Sequence, residues 1–136
     1  MARLSNKKKQ PEVQKQFNLN RELFYATPIF FKDLQNSEEL NKHLLKHLKQ
    51  WKKRDEKGIV RSNSLGWHSA VDMHHRKEYK PLIKELFKMQ EEIYEAEGYH
   101  PDTEAVCDNM WGNINYKYSH NKNHVHPGAQ WSGVYY

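Results

Sequence analysis

The segment His124-Val125-His126-Pro127-Gly128 places two imidazoles one residue apart, directly before a Pro-Gly turn. In an extended strand, residues i and i+2 face the same way. Both rings would then aim at one point, with Val125 packed behind them. Two such nitrogens supply half of a first-row transition-metal site, and imidazole suits iron, zinc, copper and nickel. Pro127-Gly128 ends the strand at once, so the pair sits at a sheet rim where coordination positions stay open. The competing reading is two exposed turn histidines in a chain that holds nine. Two ligands also fall short of the three that catalytic metal sites use.

The other histidines are weaker candidates. His43 and His47 stand at i and i+4, a spacing that can bind zinc, but lysines surround them and no carboxylate lies between them. They read as a solvated helix face. His74 and His75 are adjacent, so their side chains are expected to diverge. Trp67 and His68 stand out within a long polar connection, and loops of more than about 12–15 residues are often functional.

The elements that must position these residues follow from periodicity. Residues 23–34, Leu-Phe-Tyr-Ala-Thr-Pro-Ile-Phe-Phe-Lys-Asp-Leu, are aromatic and β-branched with Pro28 among them. Proline cannot donate to a central ladder, so an edge strand is expected. Asn36 with Glu39 three residues on marks a helix start. Leu40, Leu44, Leu48 and Trp51 then recur at helical spacing. A second helix follows, with Pro81 in its first turn and Gly98 after its end. Leu82, Leu86 and Ile93 share one face of it, beside Ile83, Phe87 and Tyr94. From about Ala105 the period shortens, which predicts a strand bent at Gly112. Two further strands, one through His124–His126 and one over Trp131–Tyr136, flank the Pro-Gly turn. Helices before sheet reads as α+β.

Composition sets outer bounds. The 136 residues suit one domain. Lys and Arg exceed Asp and Glu by 22 to 17, a net charge of +5, which reads as a solvated surface with nucleic acid as a lesser alternative. Residues 1–20 form a lysine-rich tail expected to be flexible. Residues 21–136 carry the domain. The single cysteine, Cys107, excludes an internal disulfide and fits a reducing cytoplasm. No run of about 18 apolar residues predicts a membrane span, and no apolar stretch near the start resembles a signal peptide.

The segment from Gly112 to Tyr136, with its His-Val-His-Pro-Gly and Trp-Ser-Gly-Val-Tyr-Tyr motifs, resembles a 2-oxoglutarate/Fe(II) oxygenase family of marine bacteria and their phages. Residues 23–34 and Arg61–Ser69 match that family's layout, so the resemblance spans most of the chain. It implies N-terminal helices packed on a double-stranded β-helix, a cupin-like jelly roll. It implies Fe(II) and 2-oxoglutarate as cofactors, dioxygen as co-substrate, and hydroxylation of a further substrate. His124 falls at the first ligand position. His126 falls where the superfamily has a carboxylate, so it is either a ligand or a group behind one. Tyr136 matches a strand position that contacts the 2-oxo acid, and Asn115 and Tyr116 on the preceding strand are expected to line the same pocket. A jelly roll takes about eight strands. The sequence offers three or four, without a distal histidine or a carboxylate-clamping arginine after His126. The expectation is therefore the N-terminal part of a longer oxygenase, cytoplasmic (in the host, if phage-encoded) and inactive alone. Two alternatives stand beside it: a cupin-like metal-binding domain without 2-oxoglutarate chemistry, and a small basic non-enzymatic binding module.

Overall fold

A computed structural model describes residues 25–136. The lysine-rich tail and the first two residues of the expected edge strand, Leu23 and Phe24, lie outside the described residues. The architecture is mixed α+β. Helix α1 spans Glu38–Arg54 and helix α2 spans Lys80–Ala96. Four two-residue strands accompany them: β1 (Asn63–Ser64), β2 (Trp67–His68), β3 (Asn113–Ile114) and β4 (His120–Asn121). Two single-turn 3-10 helices, Met73–His75 and Lys77–Tyr79, lead into α2.

Helix α1 forms where the leucine spacing predicts it. Ser37, one residue later than the expected Asn36, occupies the cap position, and Asn36 takes a left-handed turn. Glu38 and Glu39 open the helix and Lys52, Lys53 and Arg54 close it, signs that complement the helix dipole at both ends. Trp51 is its buried residue, with Leu44 and Leu48 packed beside the core. Helix α2 carries Pro81 in its first turn. Gly98 follows its end in the left-handed region, at φ 71°, and Tyr99 N–H donates to Tyr94 O at 2.9 Å to close the last turn.

The two helices are not followed by one sheet. β1 and β2 lie between them, and the polar connection expected to be a loop supplies the strands that pair with the C-terminal half. β1 pairs antiparallel with β4, registering Asn63 with Asn121 and Ser64 with His120. β2 pairs antiparallel with β3, registering Trp67 with Ile114 and His68 with Asn113. The contact continues through Ser69 N–H to Gly112 O at 3.0 Å and through reciprocal bonds joining Val71 and Met73 to Met110. The long strand expected from Ala105 is thus realised over only a few residues. The segments at 25–34, 124–126 and 131–136 join no ladder, because no neighbouring strand among the described residues meets their backbone groups.

The core is Trp51, Trp67, Met73 and Tyr79, flanked by Leu48, Ile83, Met110 and Ile114. Trp51 meets Trp67 edge-on at 6.2 Å and Tyr79 at 6.0 Å. Each tryptophan removes roughly 150–250 Å² from water, a gross gain of about 4–6 kcal/mol. The Trp67 indole N–H donates to Asp55 O at 2.7 Å, which satisfies the polar atom that its burial takes from water. The Arg76 guanidinium lies 3.5 Å from the Trp51 ring centroid and pairs with Asp72 at 3.1 Å. Gly112 is closely covered: a Cβ there would stand 2.3 Å from Leu48 Cδ1 and would require the Leu48 and Met73 side chains to shift.

Of the expected apolar face of α2, Leu82 is buried and Leu86 is exposed. Leu82→Ala should lower unfolding free energy by about 2–4 kcal/mol, whereas Leu86→Ala should cost under about 1 kcal/mol. Urea unfolding of the two variants checks this, and equal losses would contradict the packing described.

Candidate metal-binding histidine site

The β1–β4 ladder carries the chain toward the histidine pair. Beyond it, Lys122 N–H donates to Ser62 O at 2.8 Å, and His124 follows two residues later. The Pro127-Gly128 turn forms as its residues dictate. Ala129 N–H donates to His126 O at 3.2 Å, and Gly128 has φ 82°, the requirement of a turn with glycine third.

His124 and His126 come together, though not on a strand. Their ring centroids stand 4.9 Å apart with planes inclined by 49°. His124 Nδ1–H donates to Lys122 O at 2.8 Å. A carbonyl only accepts, so this contact fixes the tautomer and leaves the Nε2 lone pair free. His126 Nδ1 lies 2.8 Å from Ser132 Oγ, a hydroxyl that can accept from Nδ1–H and so is compatible with a lone pair on Nε2. An imidazole whose second nitrogen is held by a carbonyl or hydroxyl is the usual form of a metal-binding histidine. Among the described residues, however, no three His, Cys, Asp or Glu side chains are grouped to hold a metal ion.

Trp111 stands beside the pair, edge-on to His126 at 5.3 Å. The His68 ring stacks on Trp111 at 5.3 Å, inclined by 13°. His68 is 3% exposed, and its Nδ1–H donates to Ser69 O at 2.6 Å. The residues singled out for a 2-oxo acid stand elsewhere. Asn115 packs against Gly66 in the β1–β2 turn. Tyr116 is exposed, 6.0 Å from Lys52 Nζ, and Tyr136 is fully exposed. No hydrogen bond or ring contact among the described residues joins any of the three to His124 or His126. Trp131 packs edge-on against Phe30 at 5.7 Å, and its indole N–H reaches Tyr99 Oη at 3.3 Å.

The remaining histidine pairs are local. His43 Nε2–H donates to Glu78 O at 2.8 Å and its ring lies 4.5 Å from that of His47. His74 and His75, expected to diverge, have ring centroids 3.9 Å apart in their 3-10 turn. A cavity of about 300 Å³ lies along α2 beside Tyr94 and Glu104 and shares no wall with the His124–His126 pair. His68 and Trp111 were not legible as neighbours of the pair. They approach it through pairing across more than 40 positions of sequence. The one hint was His68 within the Arg61–Ser69 segment.

Comparison with protein-family models, with curated proteins and with solved structures finds no match to the chain.

Burial lowers the pKa of His68 below its ordinary value; the hydrogen bond to Ser69 opposes this, and the charges of Arg61 and His124 add to the lowering. The unfolded imidazole titrates near pH 6.5, so below about that pH the unfolded chain binds more protons and folding stability falls. His68→Asn can keep a donor for Ser69 O but does not titrate. Melting curves taken at about pH 7.5 and about pH 5 should show a smaller acid-induced loss in His68→Asn than in the wild type. An identical loss would place the acid sensitivity elsewhere.

Proposed function

We propose that the chain carries the His124–His126 part of an Fe(II) centre in a 2-oxoglutarate-dependent dioxygenase, and that these residues belong to the first part of a cupin-like jelly roll. The observation that carries this reading is the convergence of two imidazoles with each Nδ1 engaged, so that each ring can offer Nε2 to a metal. The donor set fits two of the three protein positions of such a centre. Iron bound there would supply oxygen activation coupled to 2-oxoglutarate decarboxylation. The protein's own part is to fix the His124 tautomer through Lys122 O, to hold the His126 ring at Ser132 Oγ, and to set Trp111 against His126. The lack of a third grouped ligand among the described residues favours a second reading, a small basic binding module without redox chemistry.

Anaerobic titration of the full chain with Fe(II), or with Co(II) as a spectroscopic substitute, separates the two. His124→Ala should abolish the bound-metal absorption of Co(II), and His43→Ala should leave it unchanged. His126→Asp should retain metal because it restores a carboxylate donor, whereas His126→Ala should weaken binding by about 10-fold or more. Metal binding that ignores both His124→Ala and His126→Ala would remove the iron reading. Succinate release from 2-oxoglutarate tests the reaction itself.

A further inference from the structure

A second polar cluster lies where the end of α1 meets the 3-10 turns, and it shares no residue with the histidine pair. Tyr79 is 3% exposed, yet its hydroxyl is buried without a hydrogen-bond partner among the described residues. The Nε–H of Arg76 is in the same condition. The rest of that guanidinium is fixed. It lies 3.5 Å from the Trp51 ring centroid, and Nη2 donates to the two Asp72 carboxylate oxygens at 3.1 and 3.3 Å. Buried polar groups are almost always paired, and leaving one without a partner is costly. These two residues border one cavity of about 10 Å³, whose other walls are His47, Trp51, Arg54 and Glu78.

The cavity restricts what can enter, since its volume admits about one water-sized atom. Arginine Nε–H only donates. Burial pushes the Tyr79 phenol up from its ordinary value; the Arg76 charge opposes this, the Glu78 charge adds to it and the Arg54 charge opposes it. The phenol therefore keeps its proton at neutral pH and can donate too. Two donors call for one acceptor atom. The Glu78 carboxylate, on the same wall, bonds neither of them. Arg54 is exposed at the end of α1 and forms none of the ion pairs among the described residues. A single water would satisfy the two buried donors and leave Arg54 uncompensated. An oxyanion satisfies all three, because a guanidinium matches its oxygens with charge-assisted hydrogen bonds.

We propose that the junction of α1 with the 3-10 turns binds a phosphoryl group: one oxygen enters the cavity between Arg76 Nε–H and Tyr79 Oη–H, and the remaining oxygens meet the Arg54 guanidinium outside it. Inorganic phosphate and a phosphate monoester share this chemistry. The site is independent of the iron reading and stands or falls without it.

Melting curves of the full chain in inorganic phosphate, in glycerol 3-phosphate and in sodium chloride of equal ionic strength test this. The wild type should melt about 3 °C or more higher with phosphate than with chloride, as a ligand of the folded state requires. Titration followed by the Arg76 Nε–H resonance then gives the affinity. Arg54→Gln and Tyr79→Phe should each weaken phosphate by about 10-fold, the weight of a hydrogen bond to a charged group. Lys117→Gln removes the same unit of charge at another exposed position and should keep the affinity within about twofold. Tyr79→Phe should fold, because the hydroxyl it loses bonds nothing among the described residues; if it does not, the comparison of Arg54→Gln with Lys117→Gln decides alone. Glycerol 3-phosphate bound as tightly as phosphate identifies a monoester ligand, and binding of inorganic phosphate alone identifies the free anion; both uphold the site. A wild type that melts identically in phosphate and chloride overturns it, and the cavity then holds water alone. Equal losses in Arg54→Gln and Lys117→Gln, or wild-type affinity in a folded Tyr79→Phe, overturn it as well.

Discussion

The buried pairing of Ser69 with Gly112 is the constraint on which the rest of the structure depends. Ser69 is wholly buried, and every polar group it brings inside must find a partner. Its N–H donates to Gly112 O, and its hydroxyl donates to Ala70 O at 2.7 Å while accepting from Gly112 N–H at 3.0 Å. Position 112 has no side chain, which leaves room for the side chains packed over it. A β-carbon there would run into Leu48 of α1 and Met73. One small residue therefore lets α1, the 3-10 turns and the C-terminal half meet in the same place.

This pairing sets the directions of its neighbours. Successive residues of an extended segment face opposite ways, and β2 divides its two rings accordingly. Trp67 turns to Trp51 and the helical core. His68 turns to Trp111, and Trp111 in turn meets His126. The loop leaving α1 is tied to the same strand: Ile59 N–H donates to His68 O at 2.9 Å, and the Trp67 indole holds Asp55 O. Gly58 lies so close under this strand that a β-carbon would stand 2.4 Å from His68 O. Two sets of packed rings thus leave β2, one into the helical core and one to the histidine pair.

The site's chemistry follows from which polar partners this arrangement supplies. Main-chain carbonyls accept hydrogen bonds from Nδ1–H of His68 and His124, so both imidazoles are oriented without any carboxylate. Carboxylates are plentiful in the chain, yet the ion pairs they form lie on or beside the helices or in the loop after α2, as with Lys88 and Glu85 or His100 and Asp102.

Helix α1, helix α2 and the Pro127-Gly128 turn could be read in the sequence by itself, because each is decided within a few residues: leucines at helical spacing, Pro81 and Gly98 at the ends, a glycine that tolerates positive φ. The choice of Leu82 over Leu86 for the interior could not, since both lie on the apolar side of α2 and only the packed fold decides which is covered. The strands were misplaced for a related reason. Residues 131–136 alternate well enough to pair, but backbone pairing needs a neighbour, and among the described residues none reaches them; the polar segment from Asn63 to His68 pairs because α1 and Gly112 bring its partners within reach. His124 and His126 were found as a pair from spacing alone. Their closeness to Trp111 and, through it, to His68 was decided only by tertiary structure, because it is carried by ladders between segments more than 40 positions apart in sequence, and no local pattern encodes a contact of that range.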